Sequence, residues 1–231
     1  MAIQLETVKD LDQLYNRAFQ LIEEQKDNGA KTFGLATGGT MLPLYERIRN
    51  SSIDFSNCES VNLDEYVGLP KEHPESYLSF MTQQLFKKKP FKNSHLPNGE
   101  ATNPEEEAKR YEELLQSLTL DFQLLGVGEN GHIGFNEPGT SFDSETHVVD
   151  LTPSTRTANA RFFESIDEVP EKAITMGIKS IMRAKYILLI AVGEKKRDAI
   201  KSLIDGNVTE EVPVTVLNNH SNVIVLTDLD F

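Results

Sequence analysis

The sequence is short of cysteine, of positive charge and of long apolar runs, and each shortage excludes a class of protein. Cys58 is the only cysteine among 231 residues, so no intramolecular disulfide can form and a reducing compartment is expected. No stretch approaches the roughly 20 apolar residues of a membrane span. Residues 1–10 contain acids rather than an apolar run of signal-peptide length. These features predict a cytoplasmic protein without a membrane partner.

Positive charge is the second shortage. Lysine and arginine total 23, aspartate and glutamate total 36, and the formal net charge is -13. This excess of acid argues against nucleic acid as a partner, because a phosphate backbone needs a basic face. It leaves room for a phosphorylated small molecule, since a few local cations and backbone N–H groups suffice to hold one phosphate. Any such site should carry locally placed lysine or arginine.

Short apolar runs alternate with amphipathic segments along the chain. The predicted strands are residues 32–36, 60–63, 121–127, 186–192, 214–217 and 223–226. The first predicted helix has Thr7 as its N-cap and closes at Asn28-Gly29, and further helices are predicted at 41–50, 76–86, from 103 onward and at 194–205. The alternation predicts an α/β protein: one domain with an open, mostly parallel twisted sheet, helices on both faces, and Rossmann-like architecture.

Candidate site residues follow the predicted strands, because ligands of open α/β sheets bind outside the carboxyl ends of the strands. Thr37-Gly38-Gly39-Thr40 links a strand to a helix, so its backbone N–H groups and two hydroxyls could cradle a phosphate. The alternative is an ordinary tight turn. The segment lacks the lysine and spacing of a Walker loop, which argues against a nucleoside triphosphate.

Two adjacent acids, Asp64 and Glu65, end another predicted strand. One of them could be a general base with its pKa raised by a dry pocket. The alternative is a pair of solvated loop acids, which base rates of burial favour.

The most informative stretch is residues 126–138, because it is too rich in glycine for a stable helix or strand and therefore predicts a shaped loop. Within it, His132 could move a proton near neutral pH and Glu137 could hold its tautomer. The alternative is a structural loop with a hydrogen-bonded histidine. The stretch lacks the regularly spaced ligands that zinc requires, so no metal site is expected.

Four cations could supply the local positive charge that a phosphate needs: Arg156, Arg161, Lys195 and Lys196. An arginine can fork onto a phosphate with two hydrogen bonds. Each of the four could equally be a solvated surface cation. Tyr77 lies at helical spacing and is expected in the core rather than in a site.

Several of these motifs occur in an order that resembles the glucosamine-6-phosphate deaminase family over residues 32–227. The motifs are Ala36–Thr40, Asn62–Leu69, His73–Tyr77, Gly128–Pro138 and Thr155–Phe163. The resemblance implies a metal-free and cofactor-free enzyme of amino-sugar catabolism that converts glucosamine 6-phosphate into fructose 6-phosphate and ammonia.

The resemblance also implies a role for each candidate residue. The Thr37-Gly38-Gly39-Thr40 turn, Arg161 and Lys196 would bind the substrate phosphate. Asp64 would carry a proton from C2 to C1 of the sugar. His132 would help to open the sugar ring, and Glu137 would form a hydrogen bond with His132 and tune it.

A mobile helical lid over residues 152–172 is implied as well, and it would carry Arg161 onto the phosphate. Some family members have aspartate where this chain has Asn130; an amide cannot act as an acid or base, so Asn130 would orient His132 or the substrate. Larger members have basic residues in place of His147 and Val149 and continue beyond Phe231. We therefore expect a monomer or small homo-oligomer without an allosteric N-acetylglucosamine 6-phosphate site.

Two rival functions stay open at this point. The first is 6-phosphogluconolactonase, which resembles the deaminases in fold, although the motifs at Asp64–Tyr66 and Asn136–Pro138 favour the deaminase. The second is a non-catalytic sugar-phosphate sensor. Relatives that regulate transcription carry a DNA-binding segment, whereas no such segment precedes Met1 in this sequence, and the net charge is acidic.

Overall fold

Parallel strands form the centre of the protein, as seen in a computed structural model that describes residues 3–231 and leaves Met1 and Ala2 outside the described residues. The strands, in chain order, are β1 (Ile3–Thr7), β2 (Thr32–Leu35), β3 (Glu59–Asn62), β4 (Asp64–Tyr66), β5 (Asn93–His95), β6 (Phe122–Leu125), β7 (His147–Asp150), β8 (Lys172–Thr175), β9 (Ile187–Ala191) and β10 (Val223–Thr227). Seven of them form one sheet in the order β1-β10-β9-β6-β2-β3-β5. Every neighbouring pair in it is parallel, which confirms the predicted open α/β sheet.

The helices connect these strands. They are α1 (Leu11–Asp27), α2 (Leu42–Arg49), α3 (Tyr77–Met81), α4 (Pro104–Ser117), α5 (Pro153–Asn159), α6 (Ile178–Met182) and α7 (Arg197–Asp205). β2, β6, β9 and β10 are buried along their whole length, so both faces of the sheet are covered. Within residues 3–231, no helix is long and apolar enough to cross a membrane.

The start of the chain differs from the sequence-based prediction. Thr7 is the last residue of β1 and its hydroxyl donates a hydrogen bond to the Leu229 carbonyl at 3.1 Å, so its predicted role as a helix cap is wrong. Asp10 caps α1 instead, and its carboxylate accepts a hydrogen bond from the Gln13 N–H at 2.9 Å. Three of the five residues of β1, namely Gln4, Leu5 and Thr7, are exposed at the sheet edge, which hid the strand from an apolar pattern.

The predicted strand at 214–217 is also wrong. Residues Pro213–Asn219 form a 3₁₀ helix. The Thr215 hydroxyl donates to the Val212 carbonyl at 2.7 Å and accepts from the Thr209 N–H at 3.0 Å, which closes the turn. Val214 and Leu217 are fully buried. A short apolar run is compatible with a buried strand or a buried helical turn, and periodicity alone does not separate them.

A second, three-stranded sheet in the order β4-β8-β7 is antiparallel and was not predicted. Its strands have three or four residues, too few to show alternation. Asp64 and His147 both lie opposite Thr175 of the central strand β8. The small sheet therefore attaches Asp64 to β8, the strand at the end of the predicted lid segment.

The order of the strands reverses between β2 and β6. From β2 the sheet continues through β3 to β5, and from β6 it continues through β9 and β10 to β1. Neighbouring connections leave in opposite directions at such a point, and a crevice opens at the carboxyl ends of the two strands. The turn at residues 37–40 and the loop at residues 126–138 therefore lie side by side.

Candidate active site

A cavity of about 640 Å³ occupies this crevice. It is lined by the loops after β2, β6 and β9, by β4 and by α5. The predicted site residues on its wall are Thr37, Gly38, Thr40, Asp64, Asn130, His132, Glu137 and Lys196. Gly39 and Arg161 do not line it. The structure thus brings together the carboxylate, the imidazole and one of the candidate cations.

Asp64 is the most perturbed acid in this cavity. Its side chain is on the first residue of β4 and the residue is 8% exposed. Between residues 3 and 231, no protein group donates a hydrogen bond to its carboxylate. Burial raises its pKa to about 8, and the nearby charge of Glu65 adds to the rise. A carboxyl group with a pKa near neutrality is suited to both taking and returning a proton.

Glu65 has a different role from its neighbour. Its carboxylate accepts hydrogen bonds from the backbone N–H groups of Tyr66 and Tyr77 at 2.9 Å and of Leu78 at 3.0 Å. Burial raises the pKa of Glu65, while these three donors act in the opposite direction. Glu65 is 4% exposed, so the alternative of two solvated acids is wrong. The Glu65 carboxylate links the first turn of α3 to β4, the strand of Asp64.

The imidazole of His132 is held by an amide. His132 Nδ1 lies 2.7 Å from Asn130 Oδ1, and Asn130 Nδ2 donates to Glu137 Oε2 at 2.9 Å. His132 Nδ1 and Glu137 Oε2 are 3.7 Å apart, which is beyond hydrogen-bond distance. The predicted direct hydrogen bond from Glu137 to His132 is therefore corrected: the Asn130 side chain stands between them and links the two.

This arrangement fixes the tautomer of His132. An ionised carboxylate only accepts hydrogen bonds, so Glu137 must face the NH₂ group of Asn130, whose oxygen then faces His132. The same Asn130 oxygen accepts the His132 backbone N–H at 3.1 Å. The neutral ring therefore carries its proton on Nδ1 and keeps a lone pair on Nε2. Burial lowers the pKa of His132, Glu137 raises it, and Lys196 adds a lowering effect.

Gly128 makes room for the imidazole. A Cβ atom at this position would lie 1.9 Å from His132 Cε1 and 2.1 Å from its Nδ1. Any larger residue would push the ring away from Asn130. The glycine at position 128 thus has a steric reason. The two interpretations of His132, a hydrogen-bonded structural residue and a proton-moving functional residue, are both compatible with this geometry.

The turn after β2, on the cavity wall, can receive an anion. Gly38 adopts φ 103°, which favours glycine, and the chain then enters a 3₁₀ turn at Gly39–Met41 before α2 begins. Lys196 lines the same wall, and burial lowers its pKa. The Asp228 carboxylate accepts the Gly193 N–H at 2.9 Å and steadies the loop of Lys196.

The remaining candidate cations lie elsewhere. The Lys195 ammonium is exposed and lies 3.9 Å from Glu129 Oε1. Arg156 donates to the carbonyls of Ile166 at 3.3 Å and Val169 at 3.2 Å, so it braces the segment that follows α5. The guanidinium of Arg161 lies 4.6 Å from the centre of the Phe162 ring, outside the cavity. Its role at the phosphate stays a prediction that requires the segment to move.

Sequence patterns missed part of the wall. Tyr77, Phe135, Ser154, Thr155 and Ala158 line the cavity. The rings of Tyr77 and Phe135 stack with centroids 6.3 Å apart, so the expectation of a core position for Tyr77 is only half right. Four of these residues lie within the sequence motifs and Ser154 directly precedes one, but the patterns gave no sign of which side chains would meet the crevice.

The fold and this cavity define an open α/β protein with a carboxylate and an imidazole at its topological switch point. The family model for glucosamine-6-phosphate isomerases/6-phosphogluconolactonase matches residues 10–226. The chain therefore belongs to this family.

Similar proteins refine this assignment. A protein of Lysinibacillus sphaericus named glucosamine-6-phosphate deaminase is 66% identical over 203 residues, which cover 88% of this chain and 92% of that protein. A protein of the same name from Streptococcus pyogenes serotype M18 (strain MGAS8232) is 55% identical over 211 residues, covering 91% of this chain and 90% of the relative.

Solved structures give the same grouping. A monomeric glucosamine-6-phosphate deaminase superposes with a TM-score of 0.91 at 43% identity, covering 98% of this chain and 97% of that one. A 6-phosphogluconolactonase from Thermotoga maritima superposes with a TM-score of 0.76 at 17% identity over 98% of both chains. The second likeness concerns the fold alone.

Proposed function

We propose that this protein is a glucosamine-6-phosphate deaminase that converts glucosamine 6-phosphate and water into fructose 6-phosphate and ammonia. The observation that carries the proposal is the shared cavity of Asp64, His132 and Lys196. The names of the similar proteins at 66% and 55% identity support the same activity. The reaction belongs to amino-sugar catabolism.

The substrate phosphate would bind at the turn of Thr37-Gly38-Gly39-Thr40. Backbone N–H groups at a helix start and a nearby ammonium attract an anion, and Lys196 supplies the ammonium. Arg161 would add a second cation when the segment 152–172 closes over the sugar. The anchored phosphate would fix where C1 and C2 lie relative to the two acid–base groups.

Ring opening is assigned to His132. Its neutral ring has a free lone pair on Nε2, so it can take the proton of the C1 hydroxyl and return a proton to the ring oxygen. Asn130 and Glu137 support this step, because the Asn130 oxygen holds the Nδ1 proton and Glu137 holds the amide in place. Opening the ring exposes the C1 aldehyde, which acidifies the proton on C2.

Asp64 is the group that moves the C2 proton. Its ionised carboxylate takes the proton from C2, the C2–H electron pair forms a C1=C2 double bond, and the substrate ammonium group gives a proton to O1, which yields an enol with a neutral C2 amine. The protonated carboxyl then returns the proton to C1, which leaves a C2 imine. Water adds to this imine, the C2–N bond breaks, and ammonia leaves with the ketone of fructose 6-phosphate. A carboxylate and an imidazole suffice for these proton transfers, so we propose a metal-independent reaction without an organic cofactor.

Location and assembly are part of the proposal. We place the reaction in the cytoplasm because the single buried cysteine suits a reducing compartment. The resemblance to a monomeric deaminase supports a monomer or small homo-oligomer. His147 and Val149 stand where larger family members have basic residues, which supports an enzyme that N-acetylglucosamine 6-phosphate does not activate.

Product analysis tests the proposed function. Purified protein is incubated with glucosamine 6-phosphate, with and without a chelator, and ammonia and fructose 6-phosphate are quantified. We expect equal amounts of both products and no effect of the chelator. A parallel reaction with 6-phosphogluconolactone tests the lactonase. Lactone hydrolysis without ammonia release would replace the proposal, and binding of either ligand without turnover would indicate a sensor.

A further inference from the structure

The two acid–base groups of the cavity lie on separate elements. Asp64 is on β4 of the small sheet, and His132 is in the loop after β6 of the large sheet. Between residues 3 and 231, no direct hydrogen bond joins their side chains. Since a misplacement of about 1 Å can cost a hundredfold in rate, something must fix the separation of these elements.

The end of β8 contacts both β4, which carries Asp64, and the loop that carries His132. Thr175 pairs with Asp64 in the antiparallel ladder, and the Met176 N–H donates to the Leu63 carbonyl at 2.7 Å. On its other side, the Thr175 hydroxyl accepts the Phe135 N–H at 3.1 Å. Thr175 is fully buried. One residue therefore holds the strand of Asp64 and the loop of His132 at the same time.

Asn136 reinforces this junction. Its Nδ2 donates to the Met176 carbonyl and to the Ile133 carbonyl, both at 2.9 Å. Asn136 is fully buried as well. The loop thus meets the end of β8 through one backbone donor and one side-chain donor, and it cannot shift along the strand without losing both hydrogen bonds.

The approach of the loop to Asp64 is close at Gly134. This residue has φ 57°, and a Cβ atom on it would lie 2.9 Å from Thr175 Oγ1 and 3.9 Å from Asp64 Oδ2. The loop backbone therefore passes beside the carboxylate at the point where the Thr175 hydroxyl holds it. A displaced loop would change the surroundings of Asp64 and move His132 together.

We propose that Thr175 is a positioning residue for this reaction, because its hydroxyl sets the separation between the carboxylate of Asp64 and the loop of His132. Thr175 does not line the cavity, so it acts through those two groups rather than on the substrate. The inference rests on the proposed deaminase function, because that function requires Asp64 and His132 to act on one sugar in succession.

The test replaces the hydroxyl without changing the size of the side chain. Thr175→Val leaves the Phe135 N–H without its acceptor, whereas Thr175→Ser keeps an oxygen there. For the folded fraction of each variant, we expect Thr175→Val to lose at least about tenfold in kcat with KM changed less than threefold. Thr175→Ser should restore kcat to within about threefold of the original protein.

Thr146→Val is the matched control. Thr146 is also buried, and its hydroxyl donates to Glu112 Oε1 at 2.8 Å, away from the cavity. This variant should lower the melting temperature and leave kcat per folded molecule unchanged. A Thr175→Val protein with unchanged kcat, or with kcat that serine does not restore, would overturn the proposal. If Thr175→Val does not fold, Thr175→Ala and Thr175→Ser are compared by the same criteria.

The proposed function and this inference fail in different ways. If the unsubstituted protein releases no ammonia from glucosamine 6-phosphate, the deaminase is refuted. If the unsubstituted protein is active and Thr175→Val, Thr175→Ser and Thr146→Val all keep its kcat per folded molecule, the deaminase stands and the positioning role of Thr175 is refuted.

Discussion

Individual residues in the cavity gain their chemistry from their surroundings. Asp64 and Glu65 are adjacent in sequence and both are buried, yet Glu65 accepts three backbone N–H groups and Asp64 accepts none from the described chain. These donors offset part of the burial cost of the Glu65 ion, whose pKa is still raised, whereas no donor offsets the burial of the Asp64 ion. The fold thus keeps a destabilised carboxylate at the position where the proposed reaction needs a base.

The free-energy cost of burying the ionised Asp64 carboxylate should appear in the thermal stability of the protein. The folded pKa of Asp64 is about 8 and its ordinary value is 3.8, so the unfolded chain ionises more easily and ionisation destabilises the fold as pH rises between these values. We expect Asp64→Asn to melt at a higher temperature than the unsubstituted protein at pH 8. The gain should shrink toward pH 4, where Asp64 is protonated in the folded protein.

Thermal melts of the two proteins from pH 4 to pH 8 provide the measurement. A gain of about 2–4 °C would correspond to roughly 1 kcal/mol for a chain of this size. A melting temperature for Asp64→Asn that is below that of the unsubstituted protein at pH 8 would contradict the burial argument.

Sequence reasoning selected most of the polar residues that the structure places on the cavity wall, but not their contacts. Residue type and position after strands were enough to select Asp64, His132 and Glu137. The resemblance implied that Asn130 would orient His132 or the substrate, and Asn130 does contact His132. Its position between His132 and Glu137 could not be inferred, because that depends on side-chain rotamers within a loop of irregular backbone. The positioning role proposed for Thr175 could not be inferred either, since it depends on a hydrogen bond between two residues that are 40 positions apart in sequence.

Among the elements, the segment 152–172 is notable because its residues 152–168 include no buried residue. α5 has no buried residue. It is held through Asn159, whose Nδ2 donates to the Tyr66 hydroxyl at 2.9 Å, and through Phe163, whose ring centre lies 6.4 Å from that of Tyr66. An element with few buried contacts opens at low free-energy cost, which agrees with the proposed lid.

Hydrogen exchange tests the lid. We expect the amides of residues 153–162 to exchange rapidly in the free protein and to become protected when a non-reactive sugar phosphate, such as 2-amino-2-deoxyglucitol 6-phosphate, is added. The ligand would draw Arg161 onto its phosphate and order the segment. Arg161→Ala should reduce the protection and raise KM. Protection that is equally high in the free protein would contradict a mobile lid.

Predictability also varied among the elements. Long amphipathic helices and fully buried strands were found, since their patterns extend over many residues. The edge strand β1 and the small sheet of β4, β8 and β7 were not, because an exposed strand of five residues or a strand of three carries almost no periodic signal. The strand predicted at 214–217 was wrong, because the burial of an apolar run does not determine whether its backbone is extended or helical.

At the scale of the whole molecule, a buried anion joins the helices to the small sheet. Glu112 of α4 accepts hydrogen bonds from the Thr146 N–H at 2.9 Å and the Ser180 hydroxyl at 2.6 Å, and it pairs with Arg183. Burial raises the pKa of Glu112, but these partners outweigh it and lower the pKa to about 2. Glu112 lies outside the cavity and supports the start of β7.

Glu112→Gln should therefore destabilise the protein without altering its chemistry. The folded pKa lies below the ordinary value of 4.5, so the contribution of the anion is fully present above pH 4.5 and is lost as pH falls toward 2. We expect a loss of about 1–3 kcal/mol in unfolding free energy at pH 7. Denaturant melts at pH 7 and pH 4 should show a smaller difference at pH 4. A pH-independent difference would argue against the ion.

The account as a whole depends on Asp64 as the group that moves the C2 proton. The decisive measurement is the rate of ammonia release from saturating glucosamine 6-phosphate by folded Asp64→Asn, beside the unsubstituted protein. An amide cannot take the proton, so we predict a fall of about 10²–10⁴-fold with substrate binding retained. Turnover within a few-fold of the unsubstituted protein would contradict the assignment of Asp64.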